Sequence, residues 1–164
     1  MPPYRLQTLL QLRERAKEAA EQAFAESLQA LKKEKDELVR LEEDLERRKQ
    51  ERTEKVNAYL REVMAKGVGA GGLKNMNRFE ERLKDEEAQV ALEIERQLDA
   101  VKMAEKKVET RRFELAEAAK DLKALEKHKE NWNKQVKHER DMREELAGEE
   151  IGNALFLART RKNE

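Results

Sequence analysis

Three groupings in this sequence have residue types that could do chemistry. Gly67-x-Gly69-x-x-Gly72 has the spacing of the loop that cradles a dinucleotide pyrophosphate. His138-Glu139 opens like the HExxH helix of a zinc protease. Ser27, the single serine, would be a nucleophile if a base lay beside it. Each fails on its surroundings. The dinucleotide fingerprint needs a strand before it and a βαβ unit around it, and here a helical pattern precedes it and no strand pattern exists. Met142 stands where the second zinc-binding histidine would be. His128 and His138 are ten residues apart and do not share a helix face. Ser27 has no histidine near it on its helix. The carboxylates stand within a turn of Lys or Arg, as Glu34, Glu42 and Glu46 do, and read as a solvated, paired face. Nothing buries them to retune them for acid–base work. The sequence therefore predicts no catalytic, cofactor-binding or metal-ligating residue, no cofactor and no enzyme.

The elements that would position any site are set by composition. Of 164 residues, 44% are Asp, Glu, Lys or Arg, against roughly 25% in an ordinary domain. Such polarity usually means disorder, but disordered chains favour Pro, Gly and Ser. Here both prolines are Pro2 and Pro3, and the rest is dominated by Ala, Leu, Glu, Lys, Arg and Gln, the strong helix formers. Four of the six glycines fall between Gly67 and Gly72. The long segments on either side hold neither Gly nor Pro as far as Ala147. Glycine is at home in a turn between helices. The expected fold is all-α: a long two-helix antiparallel coiled-coil hairpin with a C-terminal helical overhang, one unit over 1–164. Helix one covers about 4–65, the glycine-rich loop 66–72 and helix two about 73–160. At about 1.5 Å per residue, helix one would span on the order of 90 Å.

A seven-residue repeat supports this. In helix two, Ile94, Val101, Val108, Leu115, Leu122, Lys129 and Val136 occupy one heptad position. Met76, Leu83, Val90, Gln97, Ala104, Arg111, Ala118, Leu125 and Trp132 occupy its companion. Helix one repeats less cleanly through Leu10, Lys17, Phe24, Leu31, Leu38, Leu45, Arg52 and Tyr59. Its companion seam is Leu6, Ala20, Ser27, Glu34, Leu41 and Arg48. A strict heptad repeat calls for a partner helix, and a short loop makes consecutive helices antiparallel neighbours. The loop position then requires facing residue numbers to sum to roughly 135, or one heptad more. At 135, Leu41 meets Ile94, Leu45 meets Val90 and Arg48 meets Glu87. Lys17, Glu34, Arg48, Arg52 and Arg111 interrupt the seams and should weaken packing locally. Helix one can cover helix two only to about Trp132. The uncovered remainder ends in Ile151-Gly152-Asn153-Ala154-Leu155-Phe156-Leu157, the most apolar stretch of the chain. Apolar surface without an internal partner points to an external one.

Several classes are excluded. Without cysteine there is no disulfide framework and no thiolate metal site. No run approaches the roughly 18 apolar residues of a membrane span, and Leu6 to Leu12 is too short and interrupted for a signal-peptide core. A cytoplasmic location without membrane insertion is expected. Nucleic acid is not an expected partner. Basic and acidic residues number 14 and 14 in 1–64, 14 and 15 in 73–132, and 7 and 7 in 133–164, so no segment carries a basic stripe.

The opening Tyr4-Arg5-Leu6-Gln7-Thr8-Leu9-Leu10-Gln11-Leu12-Arg13-Glu14 is similar to the start of the YscO/FliJ family, the central-stalk proteins of type III secretion and flagellar export. Lys127-His128-Lys129-Glu130-Asn131-Trp132 and the charged tail resemble the C-terminal part of its YscO branch. The length, hairpin layout, loop position and overhang resemble the family across the whole chain. The resemblance implies a small cytoplasmic protein held in the pore of a hexameric secretion ATPase. The end carrying both termini would enter the ring, and the loop side would face the cytoplasmic ring of the export gate. Chaperones of export substrates are further implied partners. The flagellar branch contacts the gate through residues spaced 4-3-4 near the loop. Here Arg52, Val56, Tyr59 and Val63 show that spacing, as do Phe79, Leu83, Glu86 and Val90. Arg52 and Glu86 depart from the apolar pattern, which leaves Val56, Tyr59, Val63, Phe79, Leu83 and Val90 as gate-contact candidates. Apolar crowding at the terminal end gives Leu9, Leu12, Leu155 and Phe156 as ATPase-contact candidates, with Arg13, Arg159 and Arg161 steering toward acidic loops. A monomer is expected, because the two seams can pair within one chain. A free-standing coiled-coil scaffold, or a chaperone of the prefoldin type, is the alternative reading.

Overall fold

The structure, a computed structural model, describes residues 2–67 and 69–163. It is an all-α helical hairpin, with α1 over Gln7–Lys66 and α2 over Ala70–Lys162. Val68, inside the expected loop, lies outside the described residues. Tyr4 to Leu6 form a turn rather than helix, and the Gln7 amide donates to the Tyr4 carbonyl at 3.1 Å. Upstream, Pro2 and Pro3 supply no amide hydrogens to extend the helix. Gly67 closes α1 with φ of 63°, the left-handed conformation that glycine adopts without strain after a last helical turn.

The loop is shorter than the 66–72 read from sequence. Gly71 and Gly72 fall in the first turn of α2, and the Gly72 amide donates to the Gly69 carbonyl at 3.0 Å.

The chain packs as two compact units, Met1–Glu21 with Glu114–Glu164, and Gln22–Phe113. In the loop-side unit Leu41, Val90, Val101 and Val108 are buried, and all are heptad residues. In the terminal unit Tyr4, Leu10 and Leu122 are buried. Within each unit the cross-helix pairs cluster around the register of 135. Glu34–Gln97, Arg48–Glu86, Arg52–Glu87 and Tyr59–Phe79 do so in one, and Gln7–Lys129 and Arg13–Asp121 in the other.

The pairing of Glu87 differs from the expectation. Its partner is Arg52 at 2.7 Å, while Arg48 takes Asp44 at 3.0 Å and Glu86 at 3.6 Å. Helical side chains lean toward their own N-terminus. In an antiparallel pair Arg52 and Glu87 therefore lean toward each other and meet, one turn from the Cα register. Glu87 itself is buried. The other interruptions are compensated too. The Gln97 amide donates to the Glu34 carbonyl and carboxylate, and the buried Ser27 hydroxyl donates to the Phe24 carbonyl at 2.6 Å. Among the described residues no buried side-chain polar atom lacks a partner. The polar seam positions thus fix register as well as weakening the apolar seam.

Along the exposed faces, i to i+3 and i to i+4 ion pairs hold carboxyls below their ordinary range. Hydrogen bonds from Arg48 to Asp44, from Arg40 to Glu37 and from Lys134 to Glu130 are the main causes. A lowered folded-state pKa contributes stability above the unfolded value and loses it as pH falls through the folded one. The melting temperature is therefore expected to fall between pH 5 and pH 3, and the fall to shrink in high salt. An unchanged melting temperature at pH 3 would show that these pairs support nothing.

Candidate functional site

The terminal unit builds its site on the segment before α1. Tyr4 is buried against α2. Its hydroxyl is hydrogen-bonded to Nδ1 of His128 at 2.6 Å, and its ring lies 5.3 Å from the Trp132 ring. Lys129 closes the cluster from above, with Nζ 5.9 Å from the Tyr4 ring centre and donating to Gln7 Oε1 at 2.9 Å. A cation over an aromatic face and a buried tyrosine with its hydroxyl satisfied are both favourable. Together they clamp residues 4–7 onto α2. Beside them an open notch of about 280 Å³ is lined by Tyr4, Arg5, Leu6, His128 and Trp132.

Beyond Val136, α2 is left to solvent, with only Pro2 bordering an open notch over Val136, Glu139, Arg140 and Arg143. Every residue from 137 to 163 is exposed. Leu155 and Phe156, at 61% and 66%, are among the most exposed large apolar side chains in the chain. Successive residues lie about 100° apart around a helix, so Ile151 and Leu155 share one face while Phe156 and Leu157 point in two other directions. A helix that is apolar all round is stable only when enclosed.

The structure brings some predicted residues together and not others. Leu9 and Leu12 face solvent at the start of α1. Arg13 is engaged by Asp121 at 3.3 Å, so it is tied to α2. Arg159 and Arg161 are exposed in the last turns of α2. At the loop side Val56, Tyr59, Val63, Phe79 and Leu83 are half-buried and Val90 is buried. The Tyr59 and Phe79 rings stack, with centres 6.2 Å apart. These six close the seam. Among the described residues, the large apolar side chains left at the surface near the loop are Met64, 76% exposed, and Leu73. Sequence reasoning missed these two and the Tyr4 cluster. The register of 135 was the available signal for the cluster, because it places Tyr4 opposite residue 131, between His128 and Trp132. Among the described residues no three His, Asp or Glu side chains converge as metal ligands would, and no helix is long and apolar enough to cross a membrane.

The chain is thus an all-α helical hairpin with a clamped N-terminal segment and an uncovered helical end. A family model of YscO-like proteins matches residues 1–162, and the chain belongs to that family. It is a family of structural secretion components, not a known family of enzymes. A solved structure described as that of a candidate YscO homolog, CT670 from Chlamydia trachomatis, superposes with a TM-score of 0.81. It shares 23% identity, and the match covers 99% of each chain. At that identity the likeness speaks for the fold. No curated protein sequence matches the chain.

Proposed function

We propose that this protein is the cytoplasmic stalk of a type III secretion apparatus, coupling a hexameric secretion ATPase to the cytoplasmic ring of the export gate. The observation that carries this reading is the bare end of α2. Its apolar residues point all round the helix and need a socket rather than a flat surface. The pore of a ring is such a socket. In this reading Leu155 and Phe156 enter the ring, Leu9 and Leu12 line its mouth, and Arg159 and Arg161 meet acidic loops. Arg13 belongs to that set as well, since its exposed pair with Asp121 is weak and yields to a stronger partner. The gate lies at the loop side. Val56, Tyr59, Val63, Phe79, Leu83 and Val90 shape the surface there, and Met64 and Leu73 offer the exposed apolar contacts. Chaperones of export substrates are further partners, and the hairpin acts as one chain within the ring.

Co-purification with the secretion ATPase tests this reading. Tagged full-length protein should retain the hexamer at micromolar concentration and raise its rate of ATP hydrolysis. Absence of both effects would leave the free-standing scaffold as the better reading.

A further inference from the structure

The overhang of α2 carries a second pattern that the stalk reading does not use. Residues 133–164 balance in charge, but the charges are segregated. Between 139 and 150 there are six acidic residues against Arg140 and Arg143. From Ile151 to Ala158 there is no charge at all, and Arg159, Arg161 and Lys162 follow. The helix dipole favours cations in a last turn, which accounts for the tip but not for the acidic block. Within about 60° of one line along the helix lie Asp141 and Glu144, then Gly148, Gly152 and Leu155. Arg159 and Lys162 complete that face. It points away from Arg143, Glu150 and Leu157, the positions that continue the seam toward α1.

Gly148 and Gly152 are the unexplained part. Both lie inside α2, where glycine weakens a helix relative to alanine. Neither has positive φ, and a Cβ at either would meet nothing within 4 Å. Among the described residues no turn and no packing calls for glycine at these two positions. What they provide is bare backbone, one turn apart, to which a second helix can come close.

We propose that two copies of this chain associate, reversibly, through this face of the overhang in an antiparallel two-fold pair. The face is self-complementary in that direction, as an isologous interface must be. Centred between Ile151 and Gly152, the pairing sets Asp141 against Lys162, Glu144 against Arg159 and Gly148 against Leu155 of the partner. The leucine fills the space that the glycine leaves. A parallel pair would oppose tip to tip and acidic block to acidic block. Arg140 lies 3.4 Å from Asp141 and 3.7 Å from Glu144. These pairs are exposed and weak, and both carboxylates remain more than half open to a stronger partner. The monomer expected from sequence holds for the hairpin, whose seam closes within one chain. The pair adds a state for the free protein, in which Leu155 and Arg159 are covered.

Sedimentation equilibrium on the full chain tests the pair. The weight-average mass should rise from 19.3 kDa toward twice that value between about 1 and about 500 µM, a range that suits a weak interface. A chain carrying Arg159→Glu and Lys162→Glu should stay at the monomer mass throughout. So should one carrying Asp141→Lys and Glu144→Lys. An equimolar mixture of the two should form the double-mass species, and all four substitutions in one chain should restore self-association. Circular dichroism on each variant controls for loss of the helix. A wild-type mass that stays at 19.3 kDa to the highest concentration overturns the proposal. Association that the charge variants leave unchanged does so too.

Discussion

Removal of residues 148–164 is expected to leave the melting temperature of the hairpin almost unchanged and to lower stimulation of the secretion ATPase by roughly tenfold or more. The first half follows from packing. Residues 137–163 are exposed, and the side-chain hydrogen bonds seen in the deleted part run within the helix, from Thr160 to the Phe156 and Leu157 carbonyls. None of the buried residues lies beyond Leu122. Circular dichroism should therefore fall only in proportion to the helical residues removed. The second half follows from the stalk reading. A tenfold loss corresponds to about 1.4 kcal/mol of coupling, modest for a segment with four large apolar side chains that only a partner can bury. Full stimulation by the truncated chain, with the hairpin intact, would make the overhang a dispensable tail and remove Leu155, Phe156, Arg159 and Arg161 from the contact set. Parallel measurements with Leu9→Ala and Leu12→Ala chains would then show whether the start of α1 makes the contact instead.

Most of the fold was legible because helix formers, glycine placement and a seven-residue repeat all point the same way. Val90, Val101, Val108 and Leu122 were predictable as seam residues from spacing alone, and all four are buried. The register could be read because the loop position and the charges near Arg48 constrain it together. Pairing at the level of single side chains was less legible. Heptad arithmetic aligns Cα atoms, whereas Arg52 reaches Glu87 through a side chain that leans along the helix. The loop came out shorter because a glycine count cannot distinguish a turn residue from a first-turn helical one.

The site was legible in part, for a physical reason. A bare apolar end shows itself in sequence as apolar residues with no partner left to cover them, and Leu155 and Phe156 were found that way. The gate candidates were found by a spacing that a seam also produces, so Tyr59 and Phe79 satisfy both patterns, and the structure stacks them on each other. The Tyr4 cluster joins residues more than 120 positions apart. It becomes visible only once the antiparallel register is applied to the residues before α1, which heptad counting leaves out.

Leu122→Ala is expected to cost about 2–3 kcal/mol, the low end of the range for buried leucine, since a two-helix seam surrounds each side chain incompletely. Leu122 is 7% exposed in the terminal unit, where the other buried residues are Tyr4 and Leu10. Its loss thus removes a large share of what holds the start of α1 to α2. At roughly 2–4 °C per kcal/mol for a chain of this size, the melting temperature should drop by about 4–12 °C. Leu115→Ala, at a half-buried heptad position, should cost less. Leu155→Ala, on the uncovered end, should change the melting temperature by no more than about 1 °C, since exposed substitutions stay within about 0.5 kcal/mol. The order of the three separates seam from surface by burial alone. Were Leu155→Ala to destabilise as much as Leu122→Ala at a concentration where the chain is a monomer, the end of α2 would be packed within its own chain, and the bare socket-seeking end on which the stalk reading rests would not exist.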